Sequence, residues 1–421
     1  MARACSLLLL LLSACALPEE TAADGPTTAV PIAGPGEALR FSDRLGTVQL
    51  FQSGEEASLP VIGLASSQTL TLAFDVLGEG IGRPLEVAFR HTDRQGREDL
   101  LPSEYLTGFE TDEILDYERS GPVVAAPYVH YEYEFPNAAV GFEVSGNYRL
   151  TVRELDGTPL FDLPFYVSEQ AAEVNLAFGS TIQGGSTGLS IQPSVRLRPS
   201  RDLDGFDASQ FVVCFGRNGL AQGVRCAPQP SLIDLALYQF YLPRDDVFEP
   251  APPLYALDLG YLGPNPEVVD VDRAASPPTA LLDLDYAEFG GDIRDPVLAD
   301  APLVSAVYQD VGRSDTDAQY VAVRFRYVPP GSRQLARRVY VTGSFNGWRP
   351  SPAAELDWIE AEGRYEGTLL IKQGSYVYTY TPEPRQTAPL NPPSVFSAFV
   401  YLEDPRRFTD RLIAVETAVA R

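Results

Sequence analysis

Apolar and polar residues alternate in short runs along this chain. Between positions 41 and 170, VQLFQ, LTLAFDV, LEVAFRH, YVHYEYEF, YRLTVREL and FYVSEQ carry the period of two that sends successive side chains to opposite faces of a strand. Turn residues separate these runs at the spacing of a β-sandwich. In YVHYEYEFPN, Tyr128, His130 and Glu132 fall on one face and Val129, Tyr131 and Tyr133 on the other. The Pro136-Asn137 pair and the Ser145-Gly146-Asn147 turn punctuate the segment. EYLTGF at Glu104–Phe109 reads as a loop crossing one end.

Downstream, VNLAF, SIQPSVRL, QFVVCFG and QFYLP also read as strands, among stretches where Pro and Gly favour edges and turns over helices. Regular alternation returns in YVAVRFRYV, RRVYVTGSF, RYEGTLLI, SYVYTYTPE and FSAFVYLED. The fold class is therefore all-β, with tandem immunoglobulin-like β-sandwiches. Their expected bounds are 41–170, 171–312 (a middle β-domain with long loops) and 313–421. No long segment has a helical period, and no internal repeat stands out.

The first forty residues break this pattern. Arg3 precedes the apolar run Leu7–Leu12, which ends in Ser13, Ala14 and Cys15. This reads as a signal peptide over 1–14, its apolar run far short of the roughly 20 residues a spanning helix needs. Leu-Ser-Ala-Cys resembles the lipobox of bacterial lipoproteins, which implies lipidation at Cys15; a plain secretory signal cut elsewhere is the alternative. Residues 15–40, rich in Ala, Pro, Thr and Gly, read as a flexible tether of roughly 25–30 Å reach. The expected location is the outer membrane, lipid-anchored on the periplasmic face. Glu19 and Glu20 near the anchor leave surface exposure as the other option.

Charge narrows the function classes. The formal net charge of -25 argues against nucleic acid as a partner. Lys372 is the single lysine, and no lysine follows a glycine-rich loop as a phosphate-binding motif requires. Of the four cysteines, Cys5 falls in the signal and Cys15 in the lipobox. Cys214 and Cys226 flank an Arg-Asn-Gly hairpin turn, and a disulfide between them is expected in an oxidising compartment. Two cysteines and two distant histidines, His91 and His130, do not supply a zinc site. Asp202, Asp204 and Asp207 lack calcium-loop spacing, and Asp283, Asp285 and Glu288 have cation binding as an alternative, but in so acidic a chain both clusters read as surface turns. No nucleophile elbow and no βα alternation are present, so no enzyme, cofactor or metal is expected.

Several of these segments, in order, resemble the plug protein of the bacterial type IX secretion system. They are EYLTGF, YVHYEYEFPN and SGNYRLTV in the first sandwich, and YVTGSFNGW, IKQGSYVYTY and TDRLI (Thr409–Ile413) towards the C-terminus. At His91-Thr92-Asp93 the sequence departs from the family, which tends to carry a cysteine and a tryptophan there. The resemblance implies a non-enzymatic subunit that caps the periplasmic opening of the outer-membrane translocon barrel. It makes Tyr128, His130, Tyr131, Phe135, Pro136, Asn137, Ser145, Gly146, Asn147 and Tyr148 candidates for partner contact, with internal packing and turn geometry as the competing role for the same residues.

TGSFNGW followed by GRYEGTLLIKQGSYVYTY is also similar to glycogen-binding type carbohydrate modules, which places the C-terminal sandwich in the early-set class. Trp348 matches the first sugar platform of such modules. The second tryptophan is absent, and Thr379 stands where the late lysine belongs. A glycan-binding envelope lipoprotein using Trp348 is thus the alternative function.

Overall fold

The computed structural model describes residues 38–78, 80–181, 190–219, 223–235, 237–249, 253–289, 291, 293, 303–304, 314–382 and 394–420. The expected signal peptide, Cys15 and all but the end of the tether lie outside the described residues. What is described is almost entirely strand, as the alternation implies. No helix among the described residues is long and apolar enough to cross a membrane.

The first sandwich packs two sheets. One holds Leu39–Arg40, Pro159–Ser168, Gly146–Arg153, Leu85–Thr92 and Thr111–Ile114 in that order; the other holds Leu45–Gln52, Leu70–Leu77, Tyr128–Phe135 and Asp116–Arg119. Aromatic rings fill the space between. Phe74 stacks on Tyr131 at 5.0 Å, and Phe89 meets Phe135 and Phe165 at 5.1 and 6.0 Å. Offset and edge-to-face contacts of this kind add to the burial of apolar area.

The second sandwich is discontinuous in sequence. One sheet runs Ala172–Thr181, Ser190–Pro199, Leu237–Tyr241, Leu232–Asp234; the facing sheet runs Val224–Ala227, Phe211–Arg217, Ser394–Asp404, Thr409–Ala420. FSAFVYLED and TDRLI, expected in the C-terminal sandwich, thus belong with the middle one. Phe396, Ala398, Val400 and Leu402 share a core with Phe211, Val213 and Phe215, and the register pairs Phe211 with Leu402. Cys214 pairs with Cys226 across the ladder, and the expected disulfide joins them. The Arg-Asn-Gly turn begins as its sequence demands: Asn218 and Gly219 both have positive φ, at 55° and 112°.

The third sandwich is inserted into the second. A ten-stranded sheet, two halves of which share one core, runs from Tyr255–Asp258 to Gly374–Thr381 in sequence. It recruits Val268–Asp272 and Thr279–Leu282, which lie in the segment expected to form long loops of the middle domain. The reason is burial: Leu257, Leu259, Leu262, Val268, Ala280 and Leu282 close the core that Val323, Phe325 and Tyr380 open.

Candidate functional site

The strand Tyr128–Phe135 is where the three-sandwich arrangement becomes informative. Its odd face, Val129 to Phe135, enters the first core. Its even face should be solvated, and Glu132 and Glu134 are exposed, yet Tyr128 and His130 are buried. The third sandwich covers them. At that seam Asp75, 1% exposed, lies directly across the ladder from His130. Its Oδ1 is 2.7 Å from His130 Nδ1, and its Oδ2 is 2.8 Å from Lys372 Nζ. Tyr320 donates to the same Oδ2 at 2.7 Å and accepts from the Thr47 amide at 2.9 Å. Lys372 also donates to the Asp315 carbonyl and sits 4.4 Å from the centre of the Tyr128 ring. Tyr128 in turn donates to the Asp315 and Ala318 carbonyls.

Burial pushes the Asp75 carboxyl up, but Lys372 and His130 together outweigh it and hold the group below its usual value. Burial and the Asp75 charge raise the Tyr320 hydroxyl well above its ordinary value, so it remains a donor. Gly46 is needed here, because a Cβ would come within 2.2 Å of the Tyr320 hydroxyl oxygen.

A second seam joins the first two sandwiches. Arg411 makes paired bonds to Glu169 at 2.8 and 2.7 Å and a third to Asp404 at 3.1 Å. Arg94 bridges Asp410 and Glu403. Thr409 donates to Asp99, whose other oxygen is 2.6 Å from His91 Nδ1, and Tyr401 donates to Asn147 at 2.8 Å. Main chain also crosses: the Glu169 and Ala171 amides donate to the Leu412 and Ile413 carbonyls. Beneath lies an apolar cluster of Tyr166, Val212, Cys214, Phe399, Tyr401 and Leu412. Burial raises the Glu169 carboxyl, and bonds from Arg411 and Ser145 more than reverse this. Burial raises Asp410 despite Arg94.

Each seam is served by the same local device. In SGNY, Gly146 has φ 151° and the Tyr148 hydroxyl donates back to the Val144 carbonyl at 2.6 Å. In QGSY, Gly374 has φ 157° and the Tyr376 hydroxyl donates back to the Lys372 carbonyl at 2.7 Å. These are two tyrosine corners. They aim Ser145 and Asn147 into one seam and Lys372 into the other. Gly146 has no room for a side chain: a Cβ would lie 2.4 Å from His91 Nε2 and 3.1 Å from the Asp410 carbonyl.

The candidate contact residues therefore hold the molecule together. Tyr131, Phe135 and Tyr148 pack in the first core. Tyr128 and His130 lie at one seam, and Ser145, Gly146 and Asn147 are buried at the other. Only Pro136 and Asn137 reach solvent, and Asn137 Oδ1 caps its own turn by accepting from the Ala139 and Val140 amides. Trp348 is half-buried in a turn with φ 61°, its amide bonded to the Gly343 carbonyl. Sequence reasoning missed Asp75, Tyr320, Glu169, Arg94 and Arg411. The available signals were a lone lysine in a chain of arginines and an aspartate inside the apolar run LTLAFDV.

The segment holding most of these residues has relatives. Residues 45–169 match the family described as type 9 secretion system plug protein 1st domain. That family is a secretion-system plug domain, and it supports a plug role associated with type 9 secretion and with the cell envelope. The match ends at Glu169, the residue whose carboxylate and amide both cross to the second sandwich. The whole architecture has a counterpart in the crystal structure of a hypothetical protein from Parabacteroides merdae ATCC 43184. That structure is 22% identical, with a TM-score of 0.79 over 91% of this chain and 99% of the other. The likeness shows the fold. None of the curated proteins compared with the chain matches it.

Proposed function

We propose that this plug-type chain caps the periplasmic opening of the outer-membrane barrel through which type IX secretion passes, and does so without chemistry of its own. The observation that carries this reading is the match of residues 45–169 to the plug domain. Large barrels enclose a water-filled lumen, which leaks unless something occupies it. A stopper needs parts that keep their mutual placement. Close-packed sandwich cores resist deformation, and the charged and main-chain bonds around Glu169 and Arg411 fix the first two sandwiches relative to each other. A lipid on Cys15 holds the protein at the periplasmic face of the outer membrane in this reading, with the tether setting its stand-off. Pro136 and Asn137 are the members of the candidate contact set that remain on the surface.

Two experiments test this. A tagged copy purified from native membranes brings down a very large barrel protein, and cells lacking the chain admit solutes that the intact envelope excludes. A purification that yields no barrel, with permeability unchanged in the deletion strain, defeats the reading. Replacing Cys15 by Ser releases the protein from the membrane fraction if the anchor is lipid.

A further inference from the structure

The two seams differ in what holds them, and the difference has a mechanical meaning. The third sandwich is bonded covalently only to the second, which the chain leaves after Phe248 and rejoins at Ser394. Its interlock with the first sandwich is polar. Asp75 gathers Lys372 and Tyr320 across the seam, the Thr47 amide reaches the Tyr320 hydroxyl, the Gly121 amide the Thr316 carbonyl, and the Ala125 amide the Gln319 side chain. The apolar cluster there is small: Val124, Tyr128 and Tyr320, with Leu77 and Ala126 beside them. The seam between the first and second sandwiches has the main-chain bonds of both Glu169 and Ala171, where the latch has that of Gly121, and it has a larger apolar cluster.

Water compensates these seams unequally when they part. Lysine, carboxylate, hydroxyl and amide groups regain hydrogen bonds in water, so their net worth is far below their gross worth. Exposed apolar area regains nothing. The third sandwich also keeps its own closed core, so it can move as a body.

We infer that the third sandwich is an arm, latched onto the first by Asp75 and its partners, which parts from the first while the first and second sandwiches stay joined. The buried charges at the latch let it part cleanly and re-form in one register. This inference concerns the isolated chain and does not depend on the proposed function.

Native-state hydrogen exchange on the full chain tests it. The amide of Thr47 and, from a separate loop, those of Gly121 and Ala125 each have their acceptor across the latch. They exchange at a common rate, roughly tenfold or more above that of Glu169 and Ala171 at the other seam and of Val323 in the third core, because one sub-global opening exposes them all. Lys372→Met speeds the first three and leaves Glu169 and Ala171 unchanged. A disulfide built as Gly121→Cys with Asp317→Cys slows Thr47 to the rate of Glu169. That pair is suitable because a Cβ at Gly121 would lie 2.6 Å from an Asp317 carboxylate oxygen. If Thr47 in the unmodified protein already exchanges as slowly as Glu169, or if Lys372→Met accelerates both seams alike, the arm does not open separately and the inference fails. The unmodified protein decides the matter even where a variant does not fold.

Discussion

A single lysine in a chain with 32 basic residues is conspicuous in the sequence, but its rarity does not name its partner. The partner lies 297 positions away, since Asp75 and Lys372 meet only once two sandwiches have formed. Removing one member of such a pair strands the other. Lys372→Met is expected to lower stability by about 3–5 kcal/mol, read from chemical denaturation, because Asp75 is left buried without its cation. The acid limb of stability follows from the same residues. Asp75 and Glu169 both have carboxyls held below their usual values in the folded state. What they contribute is fully present above the unfolded carboxylate range near about 4 and is lost as pH falls through the lower folded values. Asp75→Asn should therefore flatten the stability profile below about pH 4, where an unchanged profile would remove Asp75 from this role.

Strands were legible as elements wherever alternation was clean, because a half-buried strand must repeat every two residues. YVHYEYEF displayed both of its faces. What alternation could not display was a cover over the polar one, so it leaves Tyr128 and His130 between partner contact and internal packing, and the structure buries both at a seam. The corners were hidden for a different reason. SGNY and QGSY share little more than Gly and Tyr two positions apart, and their likeness lies in a positive φ and a hydrogen bond. Tyr148→Phe and Tyr376→Phe should each cost about 1–3 kcal/mol, since each leaves a buried carbonyl without its donor. Urea midpoints equal to those of the unmodified protein would refute this. The hairpin was the easiest element to foresee, because a turn signal sat between two cysteines. Reducing Cys214–Cys226, 12 positions apart, should cost about 3 kcal/mol in the chain-entropy picture, measured as the shift in denaturation with and without reductant.

The whole molecule was the least legible scale. Local periodicity specifies a strand and its buried face but carries no address for its neighbour, so proximity in sequence alone places Ser394–Asp404 with the sandwich that precedes it. Core packing settled the matter, placing Phe396 and Val400 with Phe211 and Val213. Deleting 394–421 should accordingly disrupt the second sandwich and spare the third. Limited proteolysis checks this: cleavage is expected within 172–249, with 255–289 and 314–381 protected, and the opposite pattern would contradict the pairing. The distance spanned by that pairing also bears on biogenesis. Asn218 waits for Val395, 177 positions later, before its side chain finds the amide it accepts from. Until then Phe211–Arg217 has a backbone edge open to any strand nearby and a core short of Phe396, Val400 and Ile413, the condition under which chains aggregate. A polypeptide exported N-terminus first would expose this half-built layer throughout the transit of the inserted domain. Cells making it should lean on envelope holding chaperones in proportion to how long the last hairpin takes to arrive.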